Sequence, residues 1–347
     1  MWENDLWKYC STRQCNDFLL SFKLLGDTVW PEKKQLACLY ALSNNAEKHY
    51  KQIKIKKSDG SMRHILTPDP LLKYVQRNIL RRVLYGMPVS DHATAYREGI
   101  SIVDNAAVHT GQKQILKMDI TRFFDHIFFP AIYGGVFHAN IFPPGTAALL
   151  TYLCTYCSYL PQGAPTSAAI SNLIMRPFDT DMADWCARRH VRYTRYCDDM
   201  TFSGDFDAVA VEHKVRELLG SMGFSVNKGK TKLLSSDTRQ IVTGIVVNVK
   251  PQVSRAYRRR LRQEVFYCEK YGVFSHLDWR RDHIRATDYA SAIRYLNSLL
   301  GKINYVLQVN ARDAAFIKAK TAISRIRDAL ESRMREEEAG SAAIDIN

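Results

Sequence analysis

No apolar run in this 347-residue chain comes near the roughly 18 residues that a membrane-spanning helix needs, so a soluble protein without a membrane partner is expected. Internal repeats and low-complexity tracts are absent too, and only the last stretch, "REEEAGSAAIDIN", has the composition of a frayed, charged tail. Acidic charge is scarce: 35 Asp and Glu against 49 Lys and Arg leave a formal net charge of +14 and a pI near 9.4. Such a positive field is the usual footprint of a nucleic-acid binder, although a merely basic soluble protein stays open. The framework of a small disulfide-stapled domain is missing as well. Eight cysteines (10, 15, 38, 154, 157, 186, 197, 268) lie in apolar contexts with no signal peptide ahead of them, which points to reduced thiols in a cytosol. Cys154 and Cys157 form a C-x-x-C, but no second pair or His-x-His accompanies them, so buried helix cysteines are expected rather than zinc. What is present is ordinary globular material, 46% hydrophobic and 24% charged, enough for two or three packed subregions.

In "RYTRYCDDMTFSG", residues 192–204, two runs of aromatic and β-branched residues flank a tip that lacks glycine. Two-residue hairpin turns favour Gly, yet Cys197, Asp198, Asp199 and Met200 supply none. A polar turn is one account of the two adjacent aspartates, since Asp is common at turns. A cation site is the other.

Pro31 can open a helix through "EKKQLACLYAL", and "YKQIKIKKSDGSMRHIL" has the pattern of strand, Asp-Gly turn and strand, strongly basic throughout. A helix from Pro70 gathers Leu72, Val75, Ile79 and Val83 on one face and leaves Lys73, Arg77 and Arg81 to meet phosphates. The middle third predicts a strand "KQILKMDI", a helical stretch after Phe123 and a helix over "GTAALLTYLCTYC". After breaks at Gly163 and Pro165, Thr166 and Ser167 can cap one long helix. The aspartate hairpin, a helix over "VAVEHKVRELLGSMG" and short strands near "FSVN" and "QIVTGIVVN" follow. This order predicts an α+β fold, an antiparallel sheet backed by helices. From about Pro251 the chain turns helical and basic, with Arg255, Arg258, Arg259, Arg260 and Arg262.

Asp119 closes the strand "ILKMDI". Alone it fits a helix N-cap better than a metal ligand. Joined to the 198/199 pair it gains meaning, because nucleotide polymerisation uses two divalent cations about 4 Å apart to activate the attacking hydroxyl and stabilise the leaving pyrophosphate. Mg²⁺ takes carboxylate oxygens from a rigid frame. A strand-end Asp beside a hairpin bearing two more provides them if the two strands are neighbours.

"DITRFFD", "LPQGAPTSAAISN", "YCDD" and "VNKGKTKL" stand in the order and with roughly the spacing of the palm motifs of reverse transcriptases, and the sequence resembles that family over about residues 50–250. The resemblance implies a right-hand polymerase fold: an N-terminal helical region (1–49), fingers and palm (50–250), a basic helical thumb (251–335) and a charged tail (336–347). It makes Asp119 and Asp198 the metal ligands and Asp199 the third carboxylate, with two Mg²⁺ ions and deoxynucleoside triphosphates as substrates. Asp125 is then a helix cap. Phe124 matches the ring that lies under the sugar and blocks a 2′-hydroxyl, with Phe123 in the core. Gln162 and Gly163 match the loop along the incoming nucleotide, where the backbone approaches closely. Arg63 matches a fingers arginine that forks onto the triphosphate, and Lys230 a lysine near the leaving pyrophosphate. For both, a solvated charge is the plainer alternative, as it is for Lys228 and Lys232. Cys197 stands where many bacterial members carry Ala; a thiol there implies sensitivity to alkylation, and a large ring would impair primer placement.

"NAAVH", residues 105–109, puts Asn105 and His109 at i and i+4 of a helix, and "VTG" sets Val242, Thr243 and Gly244 on a late strand. Taken bare, these are a helix with one satisfied His and a strand with a Gly bulge. Together they resemble the paired signatures of bacterial retron reverse transcriptases, and the lack of room for a maturase, endonuclease or ribonuclease H region agrees. That subfamily implies a cognate structured noncoding RNA, priming from the 2′-hydroxyl of a guanosine, and a branched RNA–DNA product, msDNA. It also implies host ribonuclease H acting on the product, an effector protein in antiphage defence and a bacterial cytoplasm. Asn105, His109, Val242, Thr243, Gly244, Arg255, Arg258 and Arg259 become candidates for contact with RNA stems, read mostly by shape. Rival readings are another standalone bacterial enzyme, defence-associated or group II intron-like, with a different primer, and a noncatalytic RNA-binding scaffold. An RNA-dependent RNA polymerase is disfavoured by Phe124, and the scaffold by three carboxylates that are costly to bury without a cation.

Overall fold

The computed structural model describes residues 7, 9–56, 60–279 and 288–344, the side chains from 338 onward excepted. It divides into two units, one built from 1–101 and 113–235 and the other from 102–112 and 236–347.

In the first unit the two strands of the basic ribbon form as expected. Strand β1 (Tyr50–Lys56) pairs antiparallel with β2 (Met62–Pro68), and residues 57–59 of the expected Asp-Gly turn lie outside the described residues. β1 is exposed along nearly its whole length, whereas β2 is anchored at its far end, where Leu66 is buried and its N–H donates to the Gln162 carbonyl at 2.9 Å. The central sheet is antiparallel throughout, in the order β4 (Arg192–Tyr196), β5 (Asp199–Gly204), β3 (Gln114–Asp119), β6 (Lys232–Ser235). Leu116 and Met118 of β3 with Met200 and Phe202 of β5 are buried against Ile170, Phe178, Met182, Val211, Val215 and Leu219 of the helices behind them. Each such apolar side chain contributes about 1.5 to 3 kcal/mol when fully covered. This is the α+β architecture expected, a sheet backed by helices.

Helix Pro70–Ile79 begins where Asp69 Oδ1 accepts the Leu72 N–H at 2.9 Å, and it buries Leu72, Val75 and Ile79 while Arg77 stays exposed. Three local expectations change. The long helix after Thr166 is two helices, Ser167–Ile174 and Arg176–Ala187, because Pro177 has no N–H to donate back and fits only a first turn. Thr166 makes no side-chain cap, and the Ser167 hydroxyl donates to the Pro161 carbonyl at 2.6 Å. The helix over 145–157 stops at Cys154, which is buried, while Cys157 is exposed with a left-handed φ of 46°.

The second unit joins helix Ile102–Ala107 and the strand pair β7 (Ile241–Val242) and β8 (Ile245–Val246) to helices Arg255–Tyr271, Val273–Trp279, Tyr289–Val309 and Ala314–Ile344. Leu261, Val265, Leu296, Leu299, Ile303, Phe316 and Ile323 form its core. The expected bulge in "VTG" is a two-residue turn: Val242 pairs with Ile245, and Thr243 and Gly244 both take left-handed φ, 45° and 85°. Of the tail expected over 336–347, the backbone to Ile344 is helix; residues 345–347 lie outside the described residues. Among the described residues no helix is long and apolar enough to cross a membrane.

Candidate active site

β3 lies between β5 and β6, and the register sets Asp119, the last residue of β3, opposite Asp199, the first of β5. The two carboxylate-bearing strands are therefore neighbours. Pairing continues past β3: the Ile120 N–H donates to the Asp198 carbonyl at 3.1 Å and the Asn227 N–H to the Asp119 carbonyl at 2.8 Å. Asp119 is 4% exposed, Asp198 half-buried and Asp199 exposed. Burial holds the Asp119 carboxyl above its ordinary pKa, with the Asp198 charge adding to the effect, while Lys230 and Asn227 act against it. Asp199 is raised in the same way, first by partial loss of hydration among its neighbours and then by Asp198. Lys230 Nζ donates to Asp119 Oδ2 at 2.7 Å, and that bond raises the pKa of the ammonium in turn. Carboxylates this crowded draw positive charge.

Tyr196 pairs with Asp199, so the hairpin turns on Cys197 and Asp198 alone. Cys197 adopts φ 61°, the left-handed value that Gly usually provides at the first central position. For a non-Gly residue this costs on the order of 1 to 3 kcal/mol, and the surroundings must hold it. The Cys197 side chain is 6% exposed, and burial followed by the Asp198 charge pushes its thiol up to about 12. That near-complete cover works against the alkylation sensitivity expected from sequence.

Beneath the turn lies a buried network that the sequence did not disclose. Arg195 and Asp179 are both fully buried and form a two-point pair, Nε to Oδ1 at 2.8 Å and Nη2 to Oδ2 at 2.6 Å. Arg195 Nη1 donates to the Cys197 carbonyl at 3.0 Å and to Asn172 Oδ1 at 3.1 Å, and the Tyr193 hydroxyl donates to Asp179 Oδ1 at 2.8 Å.

A cleft of about 850 Å³ opens over this end of the sheet, and Arg63, Asp119, Phe124, Gln162, Asp198 and Lys230 all line it. Phe124 tilts against Phe123, centroids 5.4 Å apart, and Phe123 is in the core as expected. Asp125 also reaches the cleft and makes no cap; it pairs with Arg122, Nε to Oδ2 at 3.0 Å. Gly163 sits at φ 124°, where an added Cβ would stand 2.5 Å from Ile65 Cγ2 and 2.8 Å from the Leu66 carbonyl oxygen. Its close approach is thus to β2. Lys228 and Lys232 are exposed. Among the described residues no three His, Cys, Asp or Glu side chains are grouped to hold a cation by themselves. Mg²⁺ is commonly held by one or two carboxylates plus substrate phosphates, and the oxygen donors of Asp119 and Asp198 at one sheet end fit that mode.

In the second unit the two short signatures touch each other. Asn105 Nδ2 donates to Thr243 Oγ1 at 3.4 Å, and Thr243 Oγ1 donates to the Ile102 carbonyl at 3.0 Å. The helix ends at Ala107, so His109 sits in the following turn rather than one helical turn above Asn105. Asn105, His109 and Val242 are at most 1% exposed, which corrects their assignment as direct RNA contacts: a side chain closed to solvent has no face for a ligand. Thr243 is half-buried and Gly244 exposed. Arg255 and Arg259 are exposed and line a groove of about 1090 Å³ with Arg239, Arg258, Arg260 and Arg262. Arg258 is partly engaged, Nη2 with Gln252 Oε1 at 3.3 Å and Nη1 3.9 Å from Asp313 Oδ2.

Residues 55–269 match the family described as reverse transcriptase (RNA-dependent DNA polymerase). The retron Ec83 reverse transcriptase of Escherichia coli is 31% identical over 253 residues, 68% of this chain and 81% of that one. Its retron Ec86 counterpart is 30% identical over 254 residues, 70% of this chain and 78% of that one. The retron Mx65 reverse transcriptase of Myxococcus xanthus is 35% identical over 237 residues, 62% of this chain and 55% of that one. Against the Mx65 and Mx162 enzymes the chain spans about half of the relative's length, 55% and 47%. A telomerase structure from Candida albicans aligns distantly, with a TM-score of 0.43 and 12% identity over 85% of this chain and 68% of that one. The chain belongs to the reverse transcriptase family, in its bacterial retron-type branch.

Proposed function

We propose that the protein is the RNA-directed DNA polymerase of a retron, which copies part of a cognate structured noncoding RNA into branched msDNA. The observation that carries this reading is the meeting of Asp119 and Asp198 at one sheet end, under a cleft that also presents Arg63, Phe124, Gln162 and Lys230. Two Mg²⁺ ions, held by the carboxylates and the substrate phosphates, supply activation of the priming hydroxyl and stabilisation of the leaving pyrophosphate. Arg63 forks onto the triphosphate of an incoming deoxynucleotide. Phe124 lies under its sugar and excludes a 2′-hydroxyl, Gln162 and the Gly163 loop border it, and Lys230 leaves Asp119 to meet the pyrophosphate. Asp199 adds its charge behind the two ligands.

The priming hydroxyl is a 2′-hydroxyl of the RNA itself. RNA stems are held on the second unit by the half-buried Thr243 and exposed Gly244 of the turn and by Arg255, Arg259 and the half-engaged Arg258, with Asn105 supporting the turn from beneath and His109 and Val242 buried. Because phosphates dominate such binding, affinity falls as salt rises. Fingers and palm take up about 50–250, the thumb 251–335 and the tail 336–347. Host ribonuclease H trims the copied template in the bacterial cytoplasm, and an effector protein couples the product to antiphage defence.

The test is to express the gene with its flanking DNA in bacteria, purify the protein and sequence the nucleic acid bound to it before and after debranching enzyme. A short DNA whose 5′ end is freed only by debranching is the expected result. Unbranched DNA would leave a polymerase with a different primer, and RNA alone would leave the scaffold reading.

A further inference from the structure

We infer that Arg195, seated between Asp179 and Asn172, is a positioning residue that fixes the left-handed turn on which Asp198 is presented. A buried ion pair that merely filled space would be a poor choice, since apolar residues of similar volume usually serve stability as well or better. The placement of the guanidinium gives it another task. Its Nε and Nη2 edge is taken up by Asp179, which leaves Nη1 aimed along the strand at the carbonyl of Cys197, two residues on. That carbonyl belongs to the residue at φ 61°, so the bond lands on the one peptide that the hairpin geometry strains.

The clamp is itself braced on several sides. Asn172, on helix Ser167–Ile174, accepts from Nη1 at 3.1 Å and donates to the Ala95 carbonyl at 2.9 Å. Asp179, on helix Arg176–Ala187, also receives the Tyr193 hydroxyl. The Arg195 backbone is fixed on the far edge of β4, where its N–H donates to the His92 carbonyl at 2.8 Å and its carbonyl accepts the Thr94 N–H at 2.8 Å. Two helices and the 92–95 segment thus hold one carbonyl. Arg195 touches no reacting group; it acts through Asp198, and the inference rests on Asp198 being a cation ligand of the proposed polymerase.

The experiment uses the full chain with its RNA and two variants. Arg195→Lys keeps a charge for Asp179 but has no fork with which to reach Cys197, and Asn172→Ala removes a brace while leaving the ion pair intact. Hydrogen–deuterium exchange without added metal is followed in peptides covering 192–204, alongside the Mg²⁺ concentration for half-maximal nucleotide incorporation and the melting temperature. Exchange at 197–199 is expected to quicken about tenfold in Arg195→Lys, the worth of one charge-assisted hydrogen bond, with a comparable rise in the Mg²⁺ requirement and an unchanged KM for the nucleotide at saturating Mg²⁺. Asn172→Ala shifts both in the same direction by less, and it decides the matter if Arg195→Lys does not fold. Folded variants with a lowered melting temperature but wild-type exchange at the turn and a wild-type Mg²⁺ requirement would overturn the inference. An Asp198→Asn control that still made DNA would instead remove the cation-site reading, while the exchange measurement would still report on the clamp.

Discussion

Two hairpin turns, one in each unit, meet the same backbone demand in opposite ways. At 197 and 198 the left-handed residue is Cys197, φ 61°; at 243 and 244 both residues are left-handed, Thr243 at 45° and Gly244 at 85°. Each turn sets a non-glycine residue where L side chains are disfavoured, and each is held from beneath. The first is held by its main chain, the Cys197 carbonyl on Arg195, and this leaves the Asp198 side chain to line the cleft. The second is held by a side chain, the Thr243 hydroxyl between Ile102 and Asn105, and this leaves Gly244 and the backbone outward. A turn gripped by its backbone can display a reactive group. A turn gripped by its side chain displays main-chain surface, suited to recognition of shape rather than to chemistry.

The substitution that breaks this comparison most severely is Asp198→Asn. It keeps the size of the side chain and removes the charge, so the fold should persist while nucleotide incorporation falls about a thousandfold, equivalent to roughly 4 kcal/mol at the transition state. Single-nucleotide incorporation rates at saturating substrate measure this, with Thr243→Val as the partner variant expected to keep a near-normal rate. A loss under tenfold in Asp198→Asn would mean that the first turn is no more chemical than the second.

Much of the first turn was legible in the sequence. The strand pattern of "KQILKMDI" and the aromatic and β-branched runs around "CDD" were enough to place Asp119 at a strand end and Asp198 and Asp199 at a hairpin tip, and antiparallel pairing did the rest. Its support was not. In "RYTRY" both arginines look like solvated charges, yet Tyr193, Thr194 and Arg195 are all buried, because β4 is covered on both faces as well as along its edge. The partner comes from "RPFDTDMADW", where three aspartates compete and only packing decides that Asp179 turns inward. The Pro177 break was written in the sequence, since proline lacks the donor a helix interior needs. The turn in "VTG" was masked by Thr243, a β-branched residue where such turns normally carry Asn or Asp. His109 was misplaced because nothing local stops the helix at Ala107.

The second turn is tested by Thr243→Val, which keeps the β-branched shape and removes the hydroxyl. Asn105 Nδ2 and the Ile102 carbonyl each lose a described partner. The expected cost is about 1 to 3 kcal/mol, read as faster exchange of amides in 241–247 and an earlier urea transition. The exchange of 192–204 should not change, because the hydrogen bonds of the Thr243 hydroxyl go to Asn105 and Ile102.

The smallest effects come from exchanging the glycine logic of the two turns. Cys197→Gly relieves the left-handed strain but discards a buried side chain and loosens the unfolded chain, and these contributions are of similar size, so the net change should stay within about 1 kcal/mol. Gly244→Ala has no such compensation. A Cβ there meets nothing closer than the Tyr305 hydroxyl at 3.9 Å, an ordinary contact, so space is available and only the φ of 85° opposes it. A destabilisation of about 1 kcal/mol is expected from backbone strain alone. Paired urea titrations measure the difference. If Cys197→Gly proved the costlier of the two, the buried thiol, which meets the Tyr96 hydroxyl, would be holding the first turn as much as the Arg195 bond to its carbonyl does.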